Sequence, residues 1–155
     1  MKSILVKVLP PLWFCLFLGA ALLLHEYHPA TRVFDISSSM SIIAGVVIFT
    51  IGFALSMRAS NIFALEKTEI LPTSPSNKAL VVRGPYRYSR NPMYLGLVIE
   101  LLGIALYVGT LPMFVATAAM FAVVSLVFVP YEEEKLLRIF GEKYSAYKAS
   151  VRRWL

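Results

Sequence analysis

Four apolar runs punctuated by short polar stretches dominate the hydropathy pattern. They lie near residues 8–24, 38–57, 92–108 and 111–129, and each has the length and character of a membrane-spanning helix. After Pro130 the pattern changes. Leu136, Leu137, Phe140, Tyr144, Tyr147, Val151 and Trp154 recur at three- and four-residue intervals, with Lys135, Arg138, Lys143, Lys148, Arg152 and Arg153 among them. This alternation predicts an amphipathic helix lying in the membrane interface, bent or split at Gly141. The pattern as a whole predicts an all-α integral membrane protein, one domain over residues 1–155, with about four transmembrane helices followed by that C-terminal amphipathic helix.

Finer signals place the boundaries. Pro10 and Pro11 suit the first turn of the first helix, where a missing N–H costs little. The segment Met1–Leu24 has the charge and hydropathy of a signal peptide, yet the remaining chain also needs a membrane, so it reads as a retained first span. In the second span Ser41, Gly45, Gly52 and Ser56 share a stripe where another helix backbone can come close. A long polar connection from Arg58 to Asn91 carries turn signals at Pro72 and Pro75 and a brief extended stretch at Ala79–Val82. The link at Gly109, Thr110, Leu111 and Pro112 is short enough to make the last two spans an antiparallel hairpin.

Composition agrees with lipid as the main solvent: 58% of the 155 residues are hydrophobic and 15% charged. The net charge of +6 sits beside aromatic and apolar segments, which fits an anionic membrane surface, and no nucleic acid partner is expected. Counted loop by loop, the amino end carries Lys2 and Lys7, the first loop only Arg32, the 58–91 connection Arg58, Lys67, Lys78, Arg83, Arg87 and Arg90, and the last hairpin turn none. The positive-inside rule therefore places both termini and the long connection in the cytoplasm. Cys15, the lone cysteine, excludes an internal disulfide, and His25 and His28 have no further ligands nearby, so no metal site is expected.

Candidate chemistry gathers in two places. In RGPYRYSRNPMYLG, Arg83–Gly96, three arginines and three tyrosines crowd the start of the third span. Asn91 and Pro92 have the form of a helix N-cap and first position. Free first-turn N–H groups with Arg83, Arg87 and Arg90 nearby suit an anion, a lipid headgroup being the simpler occupant. Further along, Gly96, Glu100, Gly103 and Tyr107 share a stripe. A carboxylate in a span costs about 2.5 to 3.5 kcal/mol on insertion scales, so Glu100 should meet either a polar ligand cavity between the glycines or a hydroxyl or arginine of a neighbouring helix. The second place is Glu132, Glu133 and Glu134, which suit a helix start and which topology brings to the same membrane face as Asn91.

These two segments, RGPYRYSRNPMYLG and EEEKLLRIFGEKYSAYKASVRRW, in this order and separated by a helical hairpin, resemble the isoprenylcysteine carboxyl methyltransferases, integral membrane enzymes related to the phospholipid N-methyltransferases. The resemblance covers Lys78–Leu155, with motifs at 78–96 and 131–155. It implies S-adenosylmethionine as cofactor and a lipophilic small molecule, reached from the membrane lipids, as substrate. By position it implies cofactor contacts at Lys78, Ala79, Leu80, Val81, Tyr86, Asn91, Pro92, Met93, Tyr94 and Glu132. Asn91 stands where that family commonly has histidine, and Phe128 where its eukaryotic members have an arginine; Arg87, Arg90 or Arg138 would then have to take that arginine's place.

A carboxylate acceptor is already a nucleophile and needs no base, so O-methyl transfer is the expected chemistry. An amine or thiol acceptor would need proton removal, for which Glu133, Glu100 or a tyrosine is the candidate. The expected catalytic set is thus Glu133, Arg87 and Arg90. Two other readings of the same residues are a non-catalytic four-span scaffold that grips anionic lipid and a reductase resembling the membrane sterol reductases. The oligomeric state is not legible.

Overall fold

The computed structural model describes residue 6, residues 8–27, residue 33, residues 39–66 and residues 79–155. Every regular element among them is helical: α1 (Pro10–Tyr27), α2 (Ser39–Leu65), α3 (Pro92–Val108), α4 (Leu111–Val123), α5 (Val129–Phe140) and α6 (Glu142–Ser150). A 3-10 turn at Gly84–Arg87 precedes α3, and a π-helical turn at Val124–Phe128 joins α4 to α5. Three helices are long and apolar enough to cross a membrane: Pro10–Tyr27, Ser39–Leu65 and the continuous Leu111–Phe140. The fourth apolar helix, α3, has 17 residues. At 1.5 Å per residue it reaches only about 25 Å.

The helices stand in the order α1, α4, α3, α2, each packed on the next. Leu101 and Ala105 of α3 meet Met113, Ala116 and Met120 of α4 in the main core. The closest packing is between α2 and α3, and glycine makes it possible. A β-carbon on Gly45 would sit 2.8 Å from the Gly103 carbonyl oxygen, and one on Gly52 would sit 2.6 Å from the Glu100 nitrogen. Backbones that approach so closely gain dispersion contacts that lipid cannot match. The two stripes seen in the sequence are therefore two halves of one interface. The glycines beside Glu100 leave no room for a ligand, since the α2 backbone fills it; Glu100 instead accepts a 2.7 Å hydrogen bond from Ser56 Oγ.

Several boundaries differ from the sequence expectation. The first helix ends at Tyr27, so His25 is helical, and His28 lies outside the described residues. α2 continues past Met57 to Leu65. Arg58 does not break a helix, and Ala59 and Ile62 beyond it find a small core of their own with Val81 and Tyr86. The third-to-fourth hairpin is as tight as expected, with Gly109 at φ 71° ending α3.

The last span and the amphipathic segment form one continuous helix as far as Phe140. Pro130 would clash with the carbonyl four residues earlier in a regular α-helix; the π-turn before it, in which the Val129 N–H bonds to the Val124 carbonyl, absorbs the misfit. Gly141, at φ 52° and ψ −122°, then splits the amphipathic segment into α5 and α6.

Candidate active site

The site lies at the end of the bundle where α2 and α5 extend beyond α3. The small core under the 3-10 turn sets its floor: Phe63 from the extra turns of α2 meets the Tyr86 ring edge-on at 5.6 Å. From there Ala79, Leu80 and Val81 pass along one side of a cavity. Asn91, Met93 and Tyr94 at the start of α3 form a second side, and Glu132, Glu133, Lys135 and Leu136 of α5 a third. Tyr144 and Tyr147 of α6 close the remaining side.

The structure thus brings the two sequence-distant motifs to one cavity. Ala79, Leu80, Val81, Tyr86, Asn91, Met93, Tyr94 and Glu132 all line it, and so do Arg90 and Glu133. Pro92 is buried within the helix start and does not line it, Arg87 and Arg138 are exposed elsewhere, and Lys78 lies outside the described residues.

The polar contacts are specific. Tyr94 Oη donates a 2.5 Å hydrogen bond to Glu132 Oε1, joining the two motifs directly. The Tyr94 ring rests against Phe128, which is fully buried in the main core. Phe128 is therefore walled off from any ligand, and an arginine in its place would bury an unpaired charge.

Glu133 has both carboxylate oxygens occupied. Arg90 Nη1 lies 3.0 Å from Oε1, Lys148 Nζ 3.2 Å from Oε2, and Arg153 reaches both oxygens at 3.1 and 3.0 Å. A carboxylate shared among three cations binds a proton poorly, which sets Glu133 against the role of general base. Arg83, for its part, pairs with Glu66 at 2.6 Å.

Asn91 departs from its expected use. It occupies the N-cap position, but its side chain makes no capping bond; Nδ2 donates instead to the Arg153 carbonyl at 3.0 Å. The first turn of α3 thus keeps free N–H groups at the cavity. Tyr86 Oη is buried and has no hydrogen-bond partner. Burial, with the Glu132 charge second and Tyr147 third, pushes the Tyr86 phenol far above its ordinary value, so it remains an O–H donor. Burial does the same to Tyr147, whose hydroxyl donates to the Tyr86 carbonyl at 2.7 Å.

Residues 40–143 match the sequence profile of the phospholipid methyltransferase family. The chain belongs to that family. The family is related to the isoprenylcysteine carboxyl methyltransferases that the two motifs resemble, and its members are membrane methyltransferases that typically use S-adenosylmethionine. No curated protein and no solved structure matches the chain.

The donors and acceptors at the cavity suit that cofactor. S-adenosylmethionine carries a carboxylate, an ammonium, ribose hydroxyls and an aromatic base. Against these the cavity sets uncapped helix N–H groups, the Glu132 carboxylate, the unmatched Tyr86 hydroxyl and several aromatic faces. Its volume is about 70 Å³. Small-molecule sites span roughly 300–1,000 Å³, so a nucleoside requires the walls to part.

Sequence reading missed Phe63, Lys135, Leu136, Tyr144 and Tyr147 as cavity residues. Tyr144 and Tyr147 were visible only as members of an amphipathic stripe, and nothing local separates a stripe that meets lipid from one that folds over a cavity. Phe63 was hidden by ending the second helix at Met57.

Proposed function

We propose that this chain is an S-adenosylmethionine-dependent methyltransferase acting on a lipophilic small molecule or an isoprenylcysteine-like carboxylate at the cytoplasmic membrane face. The observation that carries this reading is the convergence of Tyr86, Asn91 and Tyr94 with Glu132 on one cavity. When bound, S-adenosylmethionine supplies an electrophilic methyl group on a sulfonium. Glu132, held by Tyr94, receives its ammonium or ribose hydroxyls; the start of α3 receives its carboxylate; Tyr86 donates to an acceptor atom. Leu80, Val81, Met93 and Leu136 exclude water from the reacting atoms.

Glu133 is neutralised by three cations, so an amine or thiol acceptor would have to give its proton to Glu132; a carboxylate acceptor, already a nucleophile, needs no base and is the acceptor proposed. Arg87 and Arg138 lie away from the cavity and Arg90 is committed to Glu133, so among the described residues no lining arginine is left to pair with an anionic acceptor. The family name points to a phospholipid as the competing acceptor.

Calorimetry of the full chain in detergent with S-adenosylmethionine and its demethylated product tests the cofactor assignment. Both should bind, and Glu132→Ala should weaken binding by at least about ten-fold, the scale of one lost charge-assisted contact. Binding of neither would hand the chain to the lipid-gripping scaffold. Transfer of labelled methyl to a panel of prenylcysteine, fatty acid, aminophospholipid and thiol compounds then identifies the acceptor, with label on the carboxylates expected and label on amine or thiol alone overturning O-methyl transfer.

A further inference from the structure

Beyond the ligand contacts, the cavity wall contains a fastening that no motif predicts. After α6 the chain runs back past the start of α3. There the Arg152 carbonyl accepts from the Arg90 N–H at 3.0 Å, and the Arg153 carbonyl accepts from Asn91 Nδ2 at 3.0 Å and Ser89 Oγ at 3.3 Å. The Arg153 side chain then turns inward and forks onto Glu133. Glu133 itself holds Arg90, so one carboxylate on α5 joins the segment before α3 to the segment after α6. Arg90 and Glu133 have side chains only 8% and 9% exposed, where an ion pair is screened little and breaking it strands a buried charge.

The geometry points to Glu133 and Arg153 as positioning residues: they hold Arg90 and Asn91 in place at the cavity and take no part in proton transfer. This rests on the reading of the cavity as a cofactor site. The bidentate fork is what a guanidinium offers and an ammonium does not, so Arg153→Lys should recover only part of the function.

Two measurements on the full chain test it. The first needs no ligand: hydrogen exchange at the Arg90 amide should quicken in Arg153→Gln and in Glu133→Gln, because its acceptor carbonyl on Arg152 is released. Arg153 is 42% exposed, so its replacement disturbs little of the buried bundle. The second is calorimetry with S-adenosylmethionine. Each single variant should bind about ten-fold more weakly and the double variant no more weakly than either, as residues acting through one contact are non-additive. Turnover at saturating cofactor should stay within about two-fold of wild type with an unaltered pH profile, the loss appearing in KM.

Additive losses, an unmoved Arg90 amide, or a Glu133→Gln variant that loses kcat together with one limb of its pH profile would each overturn the assignment, the last in favour of a general base. A wild-type chain that binds no cofactor sinks this inference together with the proposed function. Normal wild-type binding with unmoved variants sinks this inference alone.

Discussion

At the scale of single residues, Tyr86 shows how a site declares itself by what it leaves unsatisfied. A buried hydroxyl without a partner costs about 1–3 kcal/mol, and a fold that retains one forgoes that stability. Tyr86→Phe should therefore leave the ligand-free protein as stable as wild type or up to about 1 kcal/mol more stable, while weakening cofactor binding about ten-fold. Thermal unfolding in detergent and calorimetry on one preparation read both effects, and unchanged affinity would remove Tyr86 from the binding set. Asn91 makes the complementary point. Its type and its place before Pro92 announce a helix cap, yet the amide is drawn to the Arg153 carbonyl, an acceptor 62 residues away. Local chemistry told that Asn91 would matter and could not tell to whom it would bond.

At the scale of elements, the sequence was most legible where spacing carries the meaning. Gly45 and Gly52 on one helix read as a close-packing stripe, Gly96 and Gly103 on another as a stripe around Glu100, and the two pack on each other. What spacing alone left open was whether Glu100, on the second stripe, faced a ligand or a neighbour; Ser56 decides for the neighbour. A methyl on Gly52 meets backbone atoms that cannot move aside, so Gly52→Ala should destabilise the protein by about 1–3 kcal/mol. Gly19→Ala, with nothing within 4 Å of the added carbon, is the control and should be neutral or slightly stabilising. Thermal unfolding of both in detergent checks the pair; equal midpoints would mean that α2 and α3 are not held by this contact. Helix ends were less legible, because Arg58 and Pro130 look like stops until the packing of Ile62 and the π-turn at Val124–Phe128 carry the helices onward.

At the scale of the whole molecule, charge asymmetry makes a topological prediction. With Cys15→Ser as background, a cysteine at Glu142, exposed near the cavity, should react with an impermeant maleimide from the cytoplasmic side only; one at Leu111, exposed at the opposite end of the bundle, should react only from the other side. The reverse pattern would turn the cavity to the opposite face. The sequence by itself determined that the chain is helical and membrane-bound, that the second span carries a close-packing stripe, and that Arg83–Gly96 and Glu132 are the candidates for chemistry, because periodicity, hydropathy and motif are properties of neighbouring residues. Only the tertiary structure decided that Glu133 is shared among three cations, that Tyr144 and Tyr147 close the cavity, and that Arg152 and Arg153 brace the start of α3. Those contacts join residues far apart in the chain, and their partners are chosen by where the helices bring them, which no local pattern encodes.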